Sequence, residues 1–186
     1  MTLRPLSTVI VTVIVVAALS CAGFSLLGQR RLHDDRAEIE DLLSRYVFAL
    51  DWQEPERYGD TFTTDGVLIW AGGTVTGRAA IVEEMRKARA ADTDRRHSEP
   101  PQRPWRRRHF TTNLALRVAG DHATGRSYWF EFNDDNADRK AYVGAYGHSE
   151  DEFERVDGQW LFKRRQIFNE QRAQMAAGDA IPLPPG

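Results

Sequence analysis

Ile39, Leu42, Leu43, Tyr46, Val47 and Leu50 recur at intervals of three and four residues, the spacing that gathers side chains on one face of an α-helix. Asp34 or Asp35 stands where such a helix takes its N-terminal cap, and Glu38 complements its first turn. A second short helix is expected from Glu54 to Phe62, with Tyr58 and Phe62 inward. A third is expected from Arg78 to Ala91, burying Ile81, Val82 and Met85. Between them, 66–71 (GVLIWA) reads as a strand that Gly72-Gly73 turns into a short partner, 74–76. Residues 92–106 hold three prolines and several arginines without apolar periodicity, and read as a long connection. From there the pattern is β, with strands expected at 107–118, 123–132, 140–156 and 159–168. Ala119-Gly120-Asp121 and Asp157-Gly158 supply hairpin turns.

Helices first and long strands afterwards predict an α+β domain, with a curved antiparallel sheet wrapped around the N-terminal helices. A sheet that curls around helices leaves a cone-shaped pocket between them. The domain is expected over 34–168, followed by a Pro-rich, partly disordered tail at 169–186.

Ahead of it, residues 8–28 carry no charge and open on the strongly apolar run VIVTVIVVAAL. As a helix this stretch reaches about 30 Å, the thickness of a bilayer's hydrocarbon core. Residues 1–33 therefore read as one hydrophobic helix and linker, and three uses stay open. A retained signal anchor fits the length. A cleaved secretory signal fits the small residues Ala17, Ala18 and Ser20. A lipoprotein signal fits Ala18-Leu19-Ser20-Cys21, in which the chain's only cysteine, Cys21, takes the lipid. All but full release place the protein at the membrane. Flanking arginines do not fix its orientation, and the extracytoplasmic side is the working expectation.

Charge sharpens this division. The first 33 residues carry Arg4, Arg30 and Arg31 and no acid, whereas the other 153 hold 22 basic against 27 acidic side chains. A domain at −5 lacks the broad basic face that grips a phosphate backbone, so nucleic acid is not an expected partner. One cysteine among 186 residues excludes a disulfide-stapled class.

Asp51 closes the first helix on the edge of its apolar stripe. The dipole's negative end and part-burial both oppose a lone carboxylate there, so it needs a partner. His109, at the start of the strand that crosses the pocket, is that partner. Strand alternation groups His109, Thr111 and Asn113 on one face. An Asp–His pair fixes the imidazole tautomer and raises its basicity, so that the ring can move a proton beside a carbonyl or to a leaving hydroxyl. A plain structural pair needs the same two residues. Tyr46, Trp70, Asn113, Tyr128 and Tyr146 complete the expected wall, suited to a small, hydrophobic, cyclic molecule or to simple core packing.

Other candidates are weaker. His97, His122 and His148 have no metal-site spacing, and no cofactor is implied. Glu150, Asp151, Glu152 and Glu154 read as a solvated strand face. The run Arg103, Arg106, Arg107, Arg108 reads as a solvated basic loop.

Four blocks, in order, carry a resemblance: IEDLLSRYVFALDWQEPERYGDTFTTDGVL, VTGRAAIVEEM, RHFTTNLALRV and EDEFERVDGQWLFKRRQI. They resemble the SnoaL-like branch of the nuclear-transport-factor-2 superfamily, to which scytalone dehydratase and polyketide cyclases belong. The resemblance implies a conical pocket and often a homodimer through the outer sheet face. It also implies that Asp51 and His109 match an Asp and a His that work in the dehydratases. Leu50 and Trp70 stand where scytalone dehydratase has pocket tyrosines, and Tyr146 where it has a second histidine. A general acid/base role, with His109 acting and Asp51 orienting it, is thus the expectation. A non-catalytic binding module of the same fold, held at the membrane as an accessory, is the alternative.

Overall fold

The structure, a computed structural model, describes residues 31–97 and 107–171. The hydrophobic stretch 8–28 and Cys21 lie outside them. Among the described residues, no helix is long and apolar enough to cross a membrane. The chain divides into two units, Met1–Ala37 and Glu38–Gly186, and the packing described below belongs to the second.

The first helix, α1, covers 31–51 and begins slightly ahead of the expected cap. Its stripe is confirmed, with Ile39, Leu42, Leu43 and Tyr46 buried and Val47 and Leu50 half-buried. A short helix α2, Pro55–Gly59, follows with proline in its first turn, where the missing N–H is no loss. Phe62, expected to close that helix, instead opens β1 (Phe62–Trp70), which pairs with β2 (Gly73–Thr76). Helix α3 runs Arg78–His97, six residues past its expected end. The remaining strands are β3 (Arg108–Ala119), β4 (His122–Asn133), β5 (Tyr142–Val156) and β6 (Gln159–Asn169). The Asp157-Gly158 turn is as expected, since both residues adopt the positive φ (50° and 81°) that a two-residue hairpin turn demands.

The six strands form one curved sheet in the order β2-β1-β6-β5-β4-β3. It is mixed rather than antiparallel, because β1 lies parallel to β6. This pairing joins the segment after the N-terminal helices to the last strand, a long-range contact without local signature. Phe62, Phe153, Trp160 and Phe162 from the sheet meet Ile39, Leu42 and Tyr46 of α1 and Ile81 and Met85 of α3 in one core.

Asp151 corrects the reading of 150–154 as a solvated face. Its side chain is fully buried, and Arg165 Nη1 donates to its Oδ2 at 2.9 Å. Arg165 Nη2 donates to Ser149 Oγ at 3.2 Å, and the guanidinium lies 4.3 Å from the Tyr46 ring centroid and 4.7 Å from that of Phe162. Along β5 the alternation puts Ser149, Asp151 and Phe153 inside and leaves Glu152 out. Burial pushes the Asp151 carboxyl up to about 6 against the opposing charge of Arg165. Removing one member of such a pair strands the other charge in the core. Asp151→Leu is therefore expected to lower unfolding free energy by about 3–5 kcal/mol in urea titrations, and adding Arg165→Met to recover most of the loss. Equal stability of wild type and Asp151→Leu would show that the pair is not buried in solution.

Candidate functional site

A cavity of about 700 Å³ opens between α1, α3 and the concave sheet face. Its wall is largely apolar, with Val47, Leu50, Leu68, Trp70, Trp129 and Ile167 among its residues. Into it project Asp51's partner, His109, and two residues that sequence reasoning did not single out, Glu131 and Asn133.

Two element ends meet at this point. The backbone N–H of His109 donates to Asp51 Oδ2 at 2.9 Å, and Asp51 Oδ1 lies 2.6 Å from His109 Nδ1. One residue past Asp51 and one ahead of His109, the Arg108 guanidinium sits 4.2 Å over the Trp52 ring. The end of α1 is thus held to the start of β3 by a two-point carboxylate contact and a cation–π contact. The expected Asp51–His109 pair is present and borders the cavity.

The other imidazole nitrogen is occupied as well. His109 Nε2 lies 3.0 Å from Glu131 Oε2, so the ring is held between two carboxylates. Glu131 also accepts from Asn133 Nδ2 at 3.2 Å, and Arg107 Nη1 stands 4.0 Å away. Burial alone would push His109 down, but its hydrogen bonds to Asp51 and Glu131, with their charges, outweigh that and raise it above the ordinary imidazole value. For Glu131, burial pushes up, while the hydrogen bond and charge of His109, then Asn133 and Arg107, bring it below the ordinary carboxylate value. Both shifts favour the charge-paired form, in which a protonated His109 ring lies against an ionised Glu131. Gly144 permits this packing, because a Cβ there would lie 1.8 Å from Asn133 Nδ2.

Deeper in the cavity, Tyr58 Oη donates to Tyr46 Oη at 2.9 Å, and the Arg165 guanidinium lies over the Tyr46 ring. Its oxygen accepts from Tyr58, so the O–H proton of Tyr46 is not used in that bond.

Of the expected wall, Tyr46 and Trp70 are in place, and three residues are not. Asn113 is exposed, because it sits with φ at +55° in a one-residue bulge that breaks the alternation of β3. His109 and Thr111 precede the bulge and face in, as expected. Leu114, Leu116 and Val118 follow it and face in, against expectation. Tyr128 and Tyr146 are 55% and 47% exposed, on the outer face. Alternation along β4 puts Ser127, Trp129, Glu131 and Asn133 inside, and that period would have found Glu131. Among the described residues, no cluster could hold a metal ion.

The SnoaL-like domain model matches residues 31–166. The chain belongs to this family. Solved structures of the same fold include a protein of unknown function from Mycobacterium tuberculosis, 28% identical, covering 78% of this chain and 77% of that one at a TM-score of 0.64. An NTF2-like protein with a cystatin-like fold from Novosphingobium aromaticivorans is 26% identical, with coverages of 82% and 93% and a TM-score of 0.64. A Catenulispora acidiphila protein solved in complex with S-DNPA is 27% identical, with coverages of 76% and 98% and a TM-score of 0.62. No curated protein matches the chain.

The two shifts set a pH window for this SnoaL-like domain. A raised imidazole stabilises the fold below its unfolded value near 6.5, and that contribution is lost as pH climbs through the higher folded value. A lowered carboxyl stabilises above its unfolded value near 4.5, and is lost as pH falls through the lower folded value. The difference in Tm between wild type and His109→Gln is therefore expected to be widest between about pH 4.5 and 6.5 and to shrink on the alkaline side. A difference that stays constant to pH 9 would contradict the double clamp.

Proposed function

We propose that this SnoaL-like domain binds a small, flat, hydrophobic cyclic molecule and catalyses a cofactor-independent proton transfer on it, a dehydration or isomerisation, at the Asp51–His109 centre. One observation carries the reading: a hydrogen-bonded acid–imidazole group opens into a largely apolar cavity of about 700 Å³, enough for a molecule of two or three fused rings. The Tyr46 hydroxyl supports it, as a donor for the oxygen of an enolate formed in the same space. The complex of the Catenulispora acidiphila relative with S-DNPA also supports it, as a related fold holding a small ligand.

Two further parts of the reading concern where the domain works. The uncharged stretch 8–28, retained as an anchor or lipidated at Cys21, would tether it to a membrane, with the domain on the extracytoplasmic side. The outer sheet face carries Phe110 stacked on Phe130 at 5.1 Å, with Phe132, Tyr128 and Tyr146 exposed beside them. That patch suits a second copy of the chain.

Binding is testable without the natural ligand, because Trp70 and Trp129 stand in the cavity wall. With the full chain, 2-naphthol is expected to give saturable fluorescence changes, and Ala145→Phe, which fills the space beside Glu131, to abolish them. Unchanged titrations in Ala145→Phe would place binding outside the cavity. On cell fractionation the full chain is expected to sediment with membranes and to be released by detergent but not by high salt. Recovery in the soluble fraction would remove the tether from the reading.

A further inference from the structure

His109 meets the cavity with both of its nitrogens engaged. Nδ1 is bonded to Asp51, and Nε2 to Glu131. An imidazole acts as a base through a free nitrogen lone pair, and as an acid toward a ligand through an N–H that points at it. Neither is available here while Glu131 stays in place. Glu131 is in the opposite position. Its Oε2 faces the imidazole, while Oε1 has a single long contact, to Asn133 at 3.2 Å, and the side chain stands in the cavity wall. A carboxylate oxygen has two lone-pair sites, so Oε1 retains accepting capacity toward the cavity.

We propose that Glu131 is the group that exchanges protons with the bound molecule, and that His109 is a positioning residue held by both ring nitrogens between two carboxylates. This rests on the proton-transfer reading above and assigns its reacting atom. The Glu131 carboxylate removes a proton from carbon next to a carbonyl. The C–H electron pair becomes the enolate double bond, and the oxyanion accepts the Tyr46 O–H. Glu131, now a carboxylic acid, returns the same proton. Delivered to the γ-carbon it completes an isomerisation, and delivered to a β-hydroxyl it lets water leave with the C–O pair. Atoms and charge balance without a cofactor. The charged groups around Glu131 are His109 of β3, Arg107 just ahead of that strand and Asp51 of α1, with Glu84 of α3 also lining the cavity. The hydrogen bond and charge of His109 hold the Glu131 carboxyl below its ordinary value, which favours the ionised base. The imidazole, by contrast, meets a carboxylate at each of its nitrogens.

The test uses 5-nitrobenzisoxazole, a flat aromatic that opens when a base takes its ring C–H proton. The N–O bond breaks, and the coloured cyanophenolate forms. With the full chain, Glu131→Gln is expected to lower kcat/KM by about 100-fold or more, Glu131→Asp to keep part of the rate, and Glu131→Ala to regain it with added formate. The wild-type profile should be flat from pH 5 to 8, and His109→Gln should move its acid limb to higher pH, because the imidazolium no longer holds the carboxyl down. Circular dichroism confirms that each variant is folded. A Glu131→Gln variant with the wild-type rate, or a profile rising with a midpoint above 6.5, would overturn this assignment while leaving proton transfer at the site intact. A wild type no faster than a Glu131→Gln, His109→Gln double variant would overturn both.

Discussion

The extra residue in β3 is the constraint on which the site depends. From the hairpin turn, Ala119 pairs with His122 and Ala115 with Arg126, a register that would bring His109 opposite Phe132 and point it outward with Arg117 and Ala115. At Asn113 the strand inserts one residue, and beyond it Thr112 pairs with Tyr128 and His109 with Glu131. A one-residue change in a period-two structure reverses every later side chain. The bulge thus brings His109 and Thr111 into the cavity, leaves Leu114, Leu116 and Val118 in the core, and selects Glu131 as the imidazole's cross-strand neighbour. Asparagine is among the few residues that adopt the required positive φ readily, so the turn in polarity is written at one position.

A second irregularity answers the first. β4 and β5 change register between Glu131 and Phe132, where Ala145 and Val143 are the partners and Gly144 is the extra residue. Asn133 occupies the space a side chain at Gly144 would need, and from there donates to Glu131. The three strands β3, β4 and β5 are therefore all tuned around one carboxylate. The floor of the cavity is organised differently. Asp151 and Arg165 neutralise one another across paired strand positions, and the Arg165 guanidinium packs against the Tyr46 ring.

Much of this was legible in the sequence because it is local. The three-and-four spacing of Ile39 to Leu50 gave α1 and put Asp51 at its inward edge, and Asp157-Gly158 gave the last hairpin. The Asp51–His109 pair followed from a carboxylate that needed a partner. What stayed hidden depends on register or on distant pairing. Asn113 looked inward because a bulge has no clear signature among Thr111, Thr112, Asn113 and Leu114. Tyr128 and Tyr146 were favoured for being aromatic, while the alternation that placed Trp129 and Glu131 inside was in plain view. Asp151 was lost among acids of the same strand, since only its neighbour Arg165, fourteen residues on, shows why it is buried. The parallel β1–β6 pairing joins segments about a hundred residues apart and leaves no trace in either one.

Placing a site at element termini carries a cost in rigidity, since helix ends and strand starts fray more readily than their centres. Here the joint is fixed from both sides. Inside, Asp51 holds both the backbone N–H and the ring of His109, while outside, Arg108 covers Trp52. The two contacts use adjacent residues of each element, so neither α1 nor β3 can shift without breaking both. The imidazole is therefore located by covalent geometry and two carboxylates, independently of what fills the cavity. The apolar wall formed by Leu50, Leu68, Trp70 and Ile167 makes no contact that this joint depends on. The polar joint and the apolar lining are thus set by different residues, so one can be altered without the other.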